Sequence, residues 1–137
     1  MSKSVMIVDD VAFVRKTLRE IFTRARYNVV GEAADGDEAI KLYIKLRPDL
    51  VTMDVVMPKM SGIEATRKLV KIDTSAKILI VSAMGQDSLI MEAINAGAKD
   101  YILKPFSSAD ILKAAERAFF DEAPRAPRVP VRGTQAG

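Results

Sequence analysis

With 137 residues, 49% of them hydrophobic and 28% charged, the chain is long enough to bury one core and has the balance of an ordinary soluble globular domain. It contains no cysteine and no histidine, which excludes disulfides, thiolate and imidazole metal ligands, thiol nucleophiles and histidine general bases, and leaves covalent chemistry to Asp, Glu, Ser, Thr, Lys or Tyr. The net charge of +3 comes without a dense basic run, which argues against nucleic acid; no apolar stretch approaches the roughly 20 residues of a membrane span or forms a signal peptide, so a reducing cytoplasm is expected.

Val5-Met6-Ile7-Val8 predicts a short buried strand that ends in Asp9-Asp10. Val14, Leu18, Ile21 and Phe22 recur at helical spacing behind it. A second strand is expected from Val29 to Ala33, ending at the turn around Asp35-Gly36. Ala39, Ile40, Tyr43 and Ile44 mark the next helix, which Arg47-Pro48 closes. Leu50-Val51-Thr52-Met53 predicts the third strand, with Asp54 at its end. A loop with Met57-Pro58 and Ser61-Gly62 then leads into a helix carrying Ile63, Leu69 and Val70.

The second half keeps this rhythm. Lys77 to Val81 predicts a fourth strand with Ser82 following it. Leu89, Ile90, Ala93 and Ile94 belong to a helix that stops near Gly97. Tyr101-Ile102-Leu103 predicts a fifth strand ending at Lys104-Pro105, and a last helix is expected from Ser108 to about Phe119. Five continuously apolar strands alternating with five helices predict an α/β domain over residues 1–120, with a doubly wound parallel sheet covered on both faces.

In such a sheet the site lies beyond the carboxyl ends of the strands. The polar residues collect there: Asp9-Asp10, Asp54, Ser82 and Lys104 follow strands one, three, four and five. Three carboxylates at neighbouring strand ends repel one another. A divalent cation offsets the repulsion, and an all-oxygen donor set favours Mg²⁺. Lys104 adds a point charge for an anion and the Ser82 hydroxyl a hydrogen bond, which together are the parts of phosphoryl transfer to a carboxylate. Taken singly, each has a plain explanation. An Asp pair at a strand-to-helix junction can be a helix N-cap, a lone Asp a turn residue, and Lys-Pro a loop dipeptide. Their joint placement on four strand ends is what sets them apart.

These stretches resemble a known family. Val5-Met6-Ile7-Val8-Asp9-Asp10, Val51-Thr52-Met53-Asp54-Val55-Val56-Met57-Pro58, Val81-Ser82-Ala83 and Lys104-Pro105-Phe106 are similar to response-regulator receiver domains, most of all to single-domain chemotaxis regulators of the CheY type. Gly62, Gly97 and Ala98 also stand where receivers have them. The resemblance covers residues 4–119 and implies the flavodoxin-like strand order 2-1-3-4-5. It further implies that Asp54 is the phosphoacceptor, that Asp10, Asp54 and the Val56 carbonyl ligate Mg²⁺ (Mn²⁺ as substitute) with Asp9 acting through water, and that Lys104, Ser82 and the N–H groups of Val55 and Ala83 hold phosphoryl oxygens. Ser82 and Tyr101 would form the switch pair, with Tyr101 turning inward and the face of helix four, strand five and helix five changing for a partner. Such a protein is a switch and not a metabolic enzyme.

Two departures stand out. Val56 and Met84 are apolar at positions that flank the phosphoryl group in the family, so neither can orient an attacking water, and a long-lived phosphorylated state is expected. Val55 replaces the tryptophan of well-known relatives. The stretches Val51 to Asp54 and Ser82 to Gln86 are most similar to chemotaxis regulators of the Gram-positive and Thermotoga kind, which implies a CheA-like histidine kinase and a flagellar-switch or phosphatase partner. A receiver of another phosphorelay, or of a truncated DNA-binding regulator, is the alternative, although no output domain follows residue 120. A haloacid dehalogenase type of phosphatase is disfavoured, because Val56 stands where it needs a second acid.

Residues 121–137 change character. Pro124, Pro127 and Pro130 recur at the period of a polyproline II helix, with Arg125 and Arg128 in phase. The composition predicts a disordered tail; a basic ridge for an acidic partner is the more specific alternative.

Overall fold

A computed structural model describes residues 2–120; the tail expectations for 121–137 lie outside the described residues. Along the chain come β1 Ser4–Val8, α1 Ala12–Arg24, β2 Asn28–Ala33, α2 Gly36–Leu46, β3 Leu50–Met53, α3 Gly62–Ile72, β4 Ile78–Ala83, α4 Asp87–Asn95, β5 Asp100–Lys104 and α5 Ser108–Phe120. The strands form one parallel sheet in the order β2-β1-β3-β4-β5. This is the doubly wound arrangement expected, with the order implied by the resemblance.

Alternation along each strand divides the core between the two faces. Met6, Val8, Val51, Met53, Ile78 and Ile80 face α2, α3 and α4, where they meet Ala39, Tyr43, Leu69, Ile90 and Ala93. Val5, Ile7, Leu50, Leu79 and Val81 face α1 and α5, against Leu18, Phe22, Ile111 and Ala115. The central strands are buried except at their ends, Ser4 in β1 and Ala83 in β4, as continuous apolar runs require. The edge strands are not: β2 and β5 are half-buried along most of their length. An edge strand has a neighbour on one side only. There Glu32 can take Arg15 and Arg19 as ion-pair partners.

One boundary differs in a way that matters. β4 does not stop at Val81, because its ladder with β5 continues through Ser82 opposite Leu103 and Ala83 opposite Lys104. Ser82 is therefore a strand residue, fully buried and held by the sheet, and not the first residue of a loop.

Side chains cap the starts of α2 and α3. Asp35 caps α2 by accepting the Glu38 N–H at 2.9 Å, and Ser61 caps α3 by accepting the Glu64 N–H at 3.2 Å. The α1 cap is Val11, with no side-chain cap. The Asp9-Asp10 pair is thus not the N-cap it could have been. Among the described residues, no helix is long and apolar enough to cross a membrane.

Candidate functional site at the carboxyl edge of the sheet

Asp9 follows β1, Asp54 follows β3, Ser82 lies near the end of β4 and Lys104 ends β5, so the sheet brings all four to one edge. Asp9, Asp10 and Asp54 each bring one carboxylate oxygen within 4.8 Å of the others. Asp9 and Asp54 are buried and Asp10 is exposed.

Asp9 is occupied on both oxygens. Oδ1 accepts the Val11 N–H at 2.9 Å, and Oδ2 accepts from Lys104 Nζ at 2.9 Å. Lys104 Nζ also lies 3.7 Å from Asp54 Oδ1. The lysine therefore partners the acids directly, in addition to any role toward an anion.

Burial first, and then the charge of Asp9, push the Asp54 carboxyl up to about 6. Lys104 opposes that rise, Asp10 adds to it, and a hydrogen bond from the Val55 backbone draws it down. The cluster therefore carries more negative charge than Lys104 offsets. Its three oxygen donors suit a hard divalent cation such as Mg²⁺, and exposed Asp10 leaves the site open to the waters such an ion keeps.

The backbone around Asp54 depends on one glycine. The Gly62 N–H donates to the Val55 carbonyl at 2.8 Å, and a Cβ built on Gly62 would stand 1.9 Å from the Asp54 carbonyl oxygen. Any side chain there would drive α3 away from the strand end that carries Asp54.

Ser82 donates its hydroxyl to Gln86 Oε1, and the same oxygen accepts the Ala83 N–H at 3.1 Å. In the sequence Gln86 stands out only as the last residue of the stretch Ser82 to Gln86 that resembles chemotaxis regulators. Its role as the partner of Ser82 has no sequence signal, because it depends on the side chain folding back over the β4–α4 loop. Val56, in the loop after β3, and Met84, after β4, are 53% and 68% exposed. Two residues beyond Asp54 and Ser82, these exposed apolar residues stand at the rim of the same sheet edge. Tyr101 pairs with Ile80 in the ladder, three residues before Lys104, and packs half-buried against the core on the α2–α4 face.

Known proteins with this architecture agree. Residues 5–116 match the response regulator receiver domain family. The chain is 51% identical over 117 residues to the chemotaxis protein CheY of Thermotoga maritima, which covers 85% of this chain and 98% of that protein. It superposes with a TM-score of 0.82 and 37% identity on a crystal structure of a CheX-CheY-BeF3-Mg²⁺ complex from Borrelia burgdorferi, covering 85% of this chain and 89% of that one. A two-component response regulator of the LuxR family from an Aurantimonas species matches over the full length of both chains, with a TM-score of 0.88 and 33% identity. The chain belongs to the response regulator receiver domain family and is a CheY-like receiver.

Proposed function

We propose that the chain is a phosphorylation switch in which Asp54 takes a phosphoryl group from the phosphohistidine of a CheA-like kinase. The observation that carries this reading is the placement of buried Asp54 within 4.8 Å of two further acids and 3.7 Å from Lys104. An Asp54 oxygen would form the new P–O bond while the P–N bond to the kinase histidine breaks and the imidazole leaves. Asp10, Asp54 and the Val56 carbonyl would hold Mg²⁺, with Asp9 acting through water and Mn²⁺ able to substitute; the ion supplies charge neutralisation. Lys104, the Ser82 hydroxyl and the N–H groups of Val55 and Ala83 would each take a phosphoryl oxygen, which fixes the group in line for attack.

Ser82 and Tyr101 are the proposed switch pair. Drawing Ser82 toward the phosphoryl group would free space for Tyr101 to turn inward and bias the α4–β5–α5 face toward its docking form, a shift between populations and not a new fold. Relatives named for chemotaxis support a flagellar-switch component or a phosphatase as the output partner, and the CheX-CheY complex supports the phosphatase. The chain would act in the cytoplasm as a signalling switch, not as a metabolic enzyme. Phosphotransfer from a purified histidine kinase with Mg²⁺ tests this: the wild type should take the label and Asp54→Ala should not. A wild type that takes no label from kinase or small phosphodonor would overturn the reading.

A further inference from the structure

The donors assigned to an incoming phosphoryl group are already in use. The Ser82 hydroxyl and the Ala83 N–H both donate to one atom, Gln86 Oε1. Ser82 is wholly buried and lies in the ladder with β5. Solvent cannot take its hydrogen bond, so its acceptor is either a side chain of the protein or a group carried on Asp54.

Gln86 is also the N-cap residue of α4. Its side chain makes no capping bond to the helix, while its carbonyl accepts the Ile90 N–H at 2.9 Å. Its backbone thus belongs to α4 and its side chain to the end of β4. Gly85, just before it, has φ +89°, and a Cβ there would meet nothing within 4 Å among the described residues. A residue free of steric neighbours in the left-handed region, where glycine has no penalty, can absorb the rotation that moves Gln86 away.

We infer that Gln86 is a positioning residue that stands in for a phosphoryl oxygen, holding the Ser82 and Ala83 donors until a phosphoryl group on Asp54 displaces it. The inference rests on the reading of Asp54 as phosphoacceptor. The exchange has a direction because an amide oxygen is neutral and a phosphoryl oxygen is charged. Hydrogen bonds to an ionised acceptor are shorter and roughly twice as strong. Phosphorylation therefore wins both donors and frees the Gln86 side chain, and the first event it transmits is at the N-terminus of α4. In the unphosphorylated protein the same two bonds oppose activation. Gln86 sets the threshold of the switch without touching the reacting atoms.

Two measurements on the full chain test this. The first is amide hydrogen exchange at Ala83 without phosphodonor, in wild type and Gln86→Ala. Loss of the acceptor should speed exchange there by about fivefold, the effect of about one hydrogen bond. Unchanged exchange would overturn the holding contact. The second is titration with beryllofluoride and Mg²⁺, followed by NMR, for wild type, Gln86→Ala and Gln86→Glu. Gln86→Ala should bind about five- to tenfold tighter. Gln86→Glu should bind more weakly than wild type, because its carboxylate keeps the donors and repels the anion.

A wild type that binds while Gln86→Ala binds no tighter overturns the competition alone and leaves the role of Asp54 standing. A wild type that binds no beryllofluoride counts against Asp54 as acceptor and against the competition together. Because Gln86 is half-exposed, neither variant endangers the fold.

Discussion

Lys104 Nζ sits 2.9 Å from Asp9 Oδ2, which ties the end of β5 to the end of β1 across two intervening strands. Asp9 is 1% exposed and the lysine side chain 23%. The acid therefore depends on its partner far more than the lysine does. Removing one member of a buried pair leaves an uncompensated charge, which costs more than the pair contributes. Lys104→Met should destabilise the metal-free chain by about 2 kcal/mol, below the fully buried range because Lys104 is partly solvated. Added Mg²⁺ should recover part of the loss by replacing the missing positive charge. Urea unfolding midpoints with and without Mg²⁺ check both; a loss that Mg²⁺ leaves untouched would separate the lysine from the metal cluster.

The raised carboxyl of Asp54 has a defined sign. Its folded value, about 6, lies above the ordinary 3.8, so the folded state binds this proton more tightly than the unfolded state does. The associated stability is complete below about pH 4 and is lost as pH rises through 6. At pH 7 the ionised group is a net cost. Asp54→Asn should therefore stabilise the metal-free chain at pH 7 by about 2 kcal/mol and have little effect near pH 4. The thermal midpoint of both chains across that range is the measurement. Mg²⁺ should raise the wild-type midpoint at pH 7 and raise that of Asp54→Asn much less.

The order of elements and the acids at the sheet edge were legible because each depends on local pattern. Apolar runs as short as Leu50 to Met53 mark buried strands, and Asp54 follows directly. The partners of those acids were not. That Lys104 grips Asp9 depends on the sheet placing residues 95 positions apart side by side, and that Gln86 covers Ser82 depends on a side chain turning back over a loop. The extension of β4 beyond Val81 has a related cause. Ser82 and Ala83 are weak strand residues in isolation, and they extend the strand because Leu103 and Lys104 offer a ladder to pair with.

Thr52 gives a test inside the core. Its hydroxyl oxygen is buried and has no hydrogen-bond partner among the described residues, and its neighbours across the sheet are Ile7 and Leu79. A buried hydroxyl left unpaired costs its desolvation, and valine has nearly the same shape without it. Thr52→Val should stabilise the chain by about 1 kcal/mol, read as a higher denaturant midpoint at unchanged slope. Neutral or negative change would show that the hydroxyl finds a partner in solution.

The lifetime of a phosphoryl group on Asp54 should depend on the apolar rim. Val56 and Met84 are largely exposed in the loops after β3 and β4, and their apolar side chains carry no N–H, O–H or oxygen to orient a water approaching the site. Hydrolysis needs that water held in line, and an amide at position 56 can hold it with one hydrogen bond. A bond worth about 1 kcal/mol in the transition state alone corresponds to roughly fivefold in rate. Val56→Asn should accordingly lose its phosphoryl group about fivefold faster than wild type once the donor is removed, with the rate of phosphorylation little changed. Val56→Ala supplies the control: it opens the rim to water without orienting it. Equal acceleration in both variants would assign the slow hydrolysis to exclusion of water, whereas acceleration in the asparagine variant alone assigns it to the missing hydrogen bond.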